Sequence, residues 1–272
     1  MLKLKGSIKI SGDKSVSHRA LILTAMAVGK SKITNLLESD DVIRTLKILK
    51  KLGIKIVRKK EFWIVYGNGT NGFIEPEEVL DCGNSGTTAR LMTGAVASNP
   101  IKCTLIGDRS LSKRSMSRVT QYLEQIGAKI HLTKKDYLPL TISGSEHLLP
   151  AQHKMLKASA QVKSALILAG LNIHGETEII ENNPTRDHTE RLLKYLNVSF
   201  KNTKLRNYGN KIKLNGPYEI KSKNINIDED GYRISKNNSK EPDVYFLGGS
   251  TMFGYGSNDL NTIPSIFSNL VC

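Results

Sequence analysis

Ala20-Leu-Ile-Leu-Thr-Ala25 has two counterparts further along the chain, Ala89-Arg-Leu-Met-Thr-Gly94 and Ala165-Leu-Ile-Leu-Ala-Gly170. The three stretches follow one another at intervals of about 70 residues, which is typical of an internal repeat. Apolar residues lie on successive turns of each stretch, so each predicts a helix that packs in the core. The repeat therefore predicts three copies of one structural unit.

A second pattern follows the first in every copy: Leu46–Ile56, Val119–Ile130 and Leu192–Phe200. Its apolar residues are three and four positions apart, which indicates an amphipathic helix. Gly53, Gly127 and Asn197 come directly after the last apolar turn, where a helix often ends on a left-handed residue. A short alternating segment such as Ile54–Val57 comes next and predicts a strand.

Each unit thus reads helix, strand, helix, strand, strand. This regular alternation predicts an α/β fold made of repeats and excludes an all-α or all-β domain. Three similar units in one domain predict a quasi-threefold arrangement, in which equivalent loops meet near one place.

The segments that open the first helices share a composition rich in small, hydroxyl and amide residues: Ser11–Arg19, Cys82–Arg90 and Ala158–Ser164. A helix start has unpaired N–H groups and partial positive charge, so it favours phosphate or carboxylate. The alternative is that these residues only cap their helices. Because three loops share the pattern and two carry Lys and Arg, we favour anion binding. Lys113, Arg114 and Arg186 add cations before the second helices, where a cation opposes the helix dipole unless an anion is bound.

The whole chain is basic, with 40 Lys and Arg against 25 Asp and Glu and a net charge of +15. Such a charge indicates anionic partners or a generally lysine-rich surface. Nucleic acid is disfavoured, because aromatic residues make up 6% and do not alternate with basic runs. Small phosphorylated or carboxylated molecules, bound by Arg, Lys and backbone amides, remain the favoured partners.

Several other classes of protein are excluded by pattern. The apolar runs are shorter than the roughly 18–20 residues that span a bilayer, and the start lacks a signal-peptide pattern. Cys82, Cys103 and Cys272 form no Cys-x-x-Cys pair, which disfavours a disulfide framework and indicates a reducing cytoplasm. The six histidines show no metal-ligand spacing, and no Walker A or Gly-x-Gly-x-x-Gly motif follows a strand. We therefore expect no metal site.

Five segments resemble, in order, motifs of the EPSP synthase (3-phosphoshikimate 1-carboxyvinyltransferase) family: Gly12–Ala20, Gly83–Leu91, Gly107–Arg114, Ser159–Ala165 and Thr185–Arg191. The resemblance covers about residues 1–215. It implies transfer of the enolpyruvyl group of phosphoenolpyruvate to the 5-hydroxyl of shikimate 3-phosphate, a step towards chorismate and the aromatic amino acids. The resemblance also implies that this reaction uses no organic cofactor. A related family, the UDP-N-acetylglucosamine enolpyruvyl transferases, is the alternative. It is disfavoured because Lys14–Ser15 and Ser159–Gln161 suit a phosphate-bearing shikimate.

The resemblance also implies an architecture. The family has two similar domains, each with three βαβαββ units, and its substrates lie in the cleft between them. We accordingly assign residues 13–220 to one enolpyruvyl transferase domain and residues 1–12 to a strand of the second. The family's general base belongs to that second domain, so we assign no catalytic residue and expect a truncated, monomeric, cytoplasmic chain. A fragment that binds shikimate 3-phosphate without turnover is the alternative from another class.

The same resemblance assigns binding roles residue by residue. The residues expected to hold shikimate 3-phosphate are Lys14, Ser15, Arg19, Ser159, Ala160, Gln161, Thr185 and Arg186. Those expected to hold phosphoenolpyruvate are Lys14, Asn84, Gly86, Thr87, Arg114 and Gln161. Ser115 stands where the family usually has proline, which is expected to loosen the backbone at Arg114.

Residues 221–272 are expected to form a separate, acidic tail. Val244–Gly254 reads as a strand with a glycine-rich turn and resembles the first block of SGNH/GDSL-type hydrolases, with Ser250 at the nucleophile position. The alternative is a structural Gly-Gly turn. Because a serine without base and orienting group is inert, we expect an incomplete hydrolase-like fragment without esterase activity. We expect it to pack poorly; the rival is that Val244–Leu247 adds a strand to the body.

Overall fold

The computed structural model describes residues 11–134, 136–205 and 209–227. The first unit has two helices and three strands: α1 (Lys14–Ala25), β1 (Ala27–Thr34), α2 (Asp40–Lys51), β2 (Lys55–Arg58) and β3 (Phe62–Asn68). The second contains β4 (Leu80–Asp81), α3 (Gly86–Ala97), β5 (Lys102–Ile106), a 3₁₀ turn (Leu111–Lys113), α4 (Ser117–Gln125), β6 (Lys129–Lys134) and β7 (Tyr137–Ser143).

The third unit repeats this order with β8 (Gln152–Met155), α5 (Ala160–Gly170), β9 (Gly175–Glu181), α6 (His188–Tyr195), β10 (Lys201–Lys204) and β11 (Asn210–Gly216). Two short strands follow it, β12 (Ile220–Lys221) and β13 (Ile225–Asn226). The helices and longer strands are those that the sequence predicts, in the predicted order.

Three sheets share one strand order. The second and third units form sheets ordered β4-β5-β7-β6 and β8-β9-β11-β10, each with one parallel pair followed by antiparallel pairs. In the first sheet, β12 and β13 both pair in parallel with β1, which continues to β3 and β2. Residues 220–226 thus supply the first strand of unit one. Each unit is completed as βαβαββ, and the predicted α/β repeat fold is confirmed.

The helices divide into a buried set and an amphipathic set. In α1, α3 and α5 nearly every residue is buried, because these helices pack on one another as well as on the sheets. In α2, α4 and α6 burial is confined to one side of the helix, which is mostly apolar. After these, Gly53, Gly127 and Asn197 have φ values of +87°, +101° and +60°, so the predicted left-handed helix ends are confirmed.

Gly94 sets the distance between α3 and α5. A Cβ there would lie 2.2 Å from the carbonyl oxygen of Ala165 and 2.6 Å from its Cα, both atoms of the α5 backbone. The contact lets the two buried helices touch at their backbones, and a side chain at this position would force them apart.

Gly94→Ala is therefore expected to destabilise the fold by about 1–3 kcal/mol, the range for overpacked cores, although alanine is the better helix former. Gly170→Ala is the matched control, because the nearest atom to its new Cβ belongs to the flexible Leu214 side chain at 2.9 Å. Urea unfolding of both variants checks this; a stabilised Gly94→Ala variant would show that the helices are further apart than described.

The last described residues belong to the first sheet. The part of the expected tail in the structure, residues 221–227, includes the pairing of β12 and β13 with β1. Residues 1–10 and 228–272, with Ser250 and Val244–Leu247, lie outside the described residues, so the tail and first-strand assignments stay predictions. None of the helices in the described ranges is long and apolar enough to cross a membrane.

Candidate functional site: the starts of the buried helices

The first helix of every unit begins at a side-chain cap. Asp13, Ser85 and Ser159 accept hydrogen bonds from the backbone N–H groups of the third residue after each, at 2.8, 3.2 and 3.3 Å respectively. Capping therefore occurs at all three starts. It satisfies one N–H group of each helix start, and the first turns of α1, α3 and α5 contain no acidic residue.

Arg19 joins the starts of α1, α5 and α6. Its side chain is 3% exposed; Nε donates to Thr189 Oγ1 at 2.7 Å, Nη2 to Ser164 Oγ at 2.7 Å and Nη1 to Ser15 Oγ at 2.7 Å. Burial lowers the pKa of Arg19 to about 10, so the group is still charged at neutral pH. A fixed positive charge thus lies beneath three helix starts.

Gln161 joins the starts of α3 and α5. Its Nε2 donates to Thr87 Oγ1 and its Oε1 accepts from Arg90 Nη1, both at 2.9 Å. Arg90 Nη2 also donates to the carbonyl of Ser115 at 3.1 Å. The pKa of Arg90 is lowered, first by burial and then by the neighbouring guanidinium groups of Arg118 and Arg114.

Arg114 lies over the start of α3. Its Nη2 donates to Asn84 Oδ1 at 2.9 Å. A Cβ on Gly86 would lie 2.8 Å from Arg90 Nη1 and 3.6 Å from Arg114 Nη1. The absence of a side chain at Gly86 therefore lets two guanidinium groups approach the positive end of α3, where an anion would offset their mutual repulsion.

Lys14 and Ser15 lie at the edge of this region. Lys14 Nζ is 3.0 Å from Asp41 Oδ2, and the lysine side chain is 56% exposed, so the ammonium group can exchange partners at low cost. Ser15 Oγ lies 2.9 Å from His188 Nδ1, which connects α1 to the start of α6.

The polar groups of Thr185 bond to the protein instead of being free to bind a phosphate group. Its hydroxyl donates to Glu181 Oε2 at 2.7 Å, and its backbone N–H donates to the same oxygen at 3.2 Å. The hydroxyl hydrogen is thus engaged within the protein. Arg186, the next residue, lies close enough to Arg19 for its charge to lower the Arg19 pKa.

We call this set of residues the helix-start face; its members are Lys14, Ser15, Arg19, Asn84, Gly86, Thr87, Arg90, Arg114, Ser159, Ala160, Gln161, Thr185 and Arg186. All of them except Arg90 were expected to bind substrate. The hydrogen bonds described above link Ser15, Arg19 and the starts of α5 and α6 at one end, and Asn84, Thr87 and Arg114 at the start of α3 at the other. Gln161 lies between the two ends.

Three arginines of this face form no salt bridge with a carboxylate among the described residues. Arg19, Arg90 and Arg114 make their hydrogen bonds to uncharged oxygen atoms, and among the described residues none of the three has a carboxylate within 4.0 Å. Arginine in such a setting is suited to bind phosphate or carboxylate with two parallel hydrogen bonds.

Two residues of the region were missed by the sequence analysis. Arg90 lies within a recognised motif, and its four-residue spacing from Gly86 on α3 could have indicated it. Lys163 is fully buried and bonds to Glu181 and Glu190. A lysine within an otherwise apolar helix is the one signal for a buried ion pair that the sequence offers.

Comparisons with known proteins agree on one family. The family model described as EPSP synthase (3-phosphoshikimate 1-carboxyvinyltransferase) matches residues 1–232. A 3-phosphoshikimate 1-carboxyvinyltransferase of Paracoccus denitrificans is 47% identical over 228 residues, which are 84% of this chain and 51% of that protein. A protein of the same name from Parvibaculum lavamentivorans is 51% identical over 192 residues, which are 70% of this chain and 43% of that protein.

A solved structure gives the same result. An EPSP synthase structure from Acinetobacter baumannii superposes with a TM-score of 0.76 and 38% identity, covering 82% of this chain and 50% of that one. This chain spans about half the length of the relatives and solved structures it matches. Since the family model covers most of the chain and the βαβαββ units superpose on a solved member, the chain belongs to the EPSP synthase family.

Proposed function

We propose that the helix-start face binds shikimate 3-phosphate and phosphoenolpyruvate. We propose further that the chain takes part in transferring the enolpyruvyl group from phosphoenolpyruvate to shikimate 3-phosphate. The observation that carries the proposal is that Arg19, Arg90 and Arg114 lie at the helix starts with no carboxylate within 4.0 Å among the described residues. Both molecules bear a phosphate and a carboxylate, and this face offers matching cations and N–H donors. The relatives' shared name, 3-phosphoshikimate 1-carboxyvinyltransferase, supports the same substrates.

Shikimate 3-phosphate is proposed to bind at the end formed by α1, α5 and the segment before α6. Ser159 and Ala160 offer the start of α5, Arg186 offers a second cation beside Arg19, and Ser15 and Lys14 border the ring. Arg19 is fixed by four hydrogen bonds, so it supplies a charge that needs no reorganisation when the substrate arrives.

Phosphoenolpyruvate is proposed to bind at the start of α3, against Gly86, Asn84, Thr87 and Arg114. Its phosphate leaves in the reaction and gains negative charge as its bond to the enolpyruvyl carbon breaks. A guanidinium group and helix N–H donors, already held in place, stabilise that charge. Gln161, which bonds to Thr87 and Arg90 at the start of α3 from its own position at the start of α5, and Lys14 are proposed to contact both ligands.

Binding without turnover by this chain is the second candidate. Several carboxylates that border the face are engaged: Asp41 with Lys14, Asp13 as the α1 cap, and Glu181 and Glu190 with Lys163. Turnover needs a general base, such as a carboxylate that is not already engaged, within hydrogen-bond reach of the 5-hydroxyl. A phosphate-release assay with both substrates decides, because release supports the transferase and tight binding without release supports the second candidate.

Calorimetry separates the substrate classes. The proposal expects the 272-residue chain to bind shikimate 3-phosphate and not UDP-N-acetylglucosamine. Binding of the UDP-sugar alone would overturn it in favour of the related transferase. We also propose that the chain is cytoplasmic, which the two buried free thiols, Cys82 and Cys103, support. We propose that it is a monomer, and gel filtration of the reduced protein tests this.

Lys14→Ala is expected to weaken binding of shikimate 3-phosphate by about 1–3 kcal/mol, the range for a hydrogen bond to a charged group. Arg58→Ala is the matched control, because Arg58 lies on β2 and pairs with Glu38, and neither residue belongs to the helix-start face. Titration calorimetry of both variants measures the difference. Equal losses would mean that the chain attracts the ligand only through its overall positive charge.

A further inference from the structure

A buried cluster of three charged side chains lies behind the helix-start face. Lys163 Nζ is 2.9 Å from Glu181 Oε1 and 2.7 Å from Glu190 Oε1, and the side chains are 0%, 1% and 4% exposed. The members come from α5, β9 and α6, so the cluster ties the three elements of unit three together. Burying three charges is costly, and packing alone would be served as well by apolar residues of similar size.

The cluster holds Thr185 by every polar group that this residue has. Glu181 Oε2 accepts from the Thr185 backbone N–H at 3.2 Å and from its hydroxyl at 2.7 Å, and Lys163 Nζ donates to the Thr185 carbonyl at 3.4 Å. Thr185 is itself 8% exposed. The segment between β9 and α6 is therefore fastened to the cluster at Thr185.

The fastening point lies next to two cations. Arg186 follows Thr185 in the chain, and Ser164, which accepts from Arg19 Nη2 at 2.7 Å, follows Lys163 in α5. Movement of Thr185 would carry Arg186 with it, whereas Arg19 has its own four hydrogen bonds. The cluster is thus placed to set the position of Arg186 relative to Arg19.

We propose that Lys163, Glu181 and Glu190 form a positioning cluster that acts through Thr185 to hold Arg186 at the shikimate 3-phosphate end of the helix-start face. Thr185 is then a positioning residue, and its hydroxyl does not contact the substrate. This inference rests on the proposed function, and it assigns to the cluster a role that packing alone does not require.

A double-mutant cycle on the 272-residue chain tests the inference, with the dissociation constant of shikimate 3-phosphate as its readout. Thr185→Val keeps the shape and removes the hydroxyl, and we expect it to weaken binding about tenfold, the loss of one good interaction. In an Arg186→Ala background the same change is expected to have an effect of less than about twofold, because the residue through which it acts is gone. Thr185→Ser, which keeps the hydroxyl, is expected to restore binding.

Controls keep the outcomes separate. Glu181→Gln should reproduce Thr185→Val, including its loss of effect in the Arg186→Ala background, and serves if the valine variant does not fold. Thr141→Val removes a hydroxyl that lies 2.9 Å from Thr104 Oγ1 on the second sheet, and should leave binding unchanged.

If the wild-type chain does not bind shikimate 3-phosphate, the proposed function fails and this inference with it. If the wild type binds but Thr185→Val weakens binding equally in both backgrounds, or in neither, only the inference is overturned.

Discussion

Lys163→Met is expected to lower the free energy of unfolding by about 3–5 kcal/mol, the range for removing one partner of a buried ion pair. The change leaves Glu181 and Glu190 facing each other in the interior, without the cation that both contact. Glu190 Oε2 already has no hydrogen-bond partner among the described residues, so its carboxylate has little alternative support. Urea unfolding followed by circular dichroism measures the effect.

The control is the triple variant Lys163→Met, Glu181→Gln, Glu190→Gln, which removes all three charges and keeps the volume. It is expected to recover most of the lost stability, because no unpaired charge then remains buried. A single Lys163→Met variant as stable as the wild type would contradict the buried cluster on which the positioning role depends.

The second large effect is a loss of stability as the pH falls from about 6.5 to 4. His18 is fully buried on α1, with Nδ1 2.7 Å from Thr45 Oγ1 and Nε2 without a partner among the described residues. Burial, followed by the charge of Arg19, lowers the pKa of His18 to about 3. In the unfolded chain this pKa is near 6.5.

The direction follows from proton binding. Between these two pKa values the unfolded chain binds a proton at residue 18 and the folded chain does not, so stability falls as the pH falls. The slope reaches about 1.4 kcal/mol per pH unit for one such group. His153, whose pKa burial lowers to about 4, adds to the slope in the same range.

Urea unfolding at pH 7, 6, 5 and 4.5 measures this dependence. His18→Gln is expected to reduce the slope by about half, since an amide does not titrate and His153 still does. Glu178, whose pKa is lowered to about 2 by Lys213 and Gln152, loses its contribution progressively below about pH 5, so the slope between pH 7 and 5 is the one assigned to the histidines. An unchanged slope in His18→Gln would mean that His18 is protonated in the folded protein.

The sequence predicted the fold because its strongest pattern is local. Three apolar helices and three amphipathic helices repeat in register, and each amphipathic helix is followed by its own Gly or Asn. The local pattern did not indicate the parallel strands that complete the units, because β4, β8 and β12 have two to four residues and show no periodicity. They were expected only from the family resemblance, which implies βαβαββ units. The role of residues 220–226 in the first sheet depends on a contact with β1, almost 200 residues earlier, which no local pattern reveals.

The residues of the helix-start face that belong to recognised sequence motifs could be predicted, with the exception of Arg90. Hydroxyl, amide and basic residues at helix starts indicated an anion site, and the structure brings them together through Arg19 and Gln161. The Lys163 cluster could not be predicted, because Lys163, Glu181 and Glu190 meet only after α5, β9 and α6 have packed. The engagement of the Thr185 hydroxyl by Glu181 follows from the same packing.

The most direct test of the account compares the binding of shikimate 3-phosphate with that of shikimate by titration calorimetry on the 272-residue chain. The two ligands differ only in the phosphate that the cations at the starts of α1, α5 and α6 are proposed to hold. The account predicts one binding site and an affinity for shikimate 3-phosphate at least about 100-fold higher, which corresponds to two charged hydrogen bonds. Equal affinities, or no binding of shikimate 3-phosphate, would contradict the claim that these helix starts form its phosphate site.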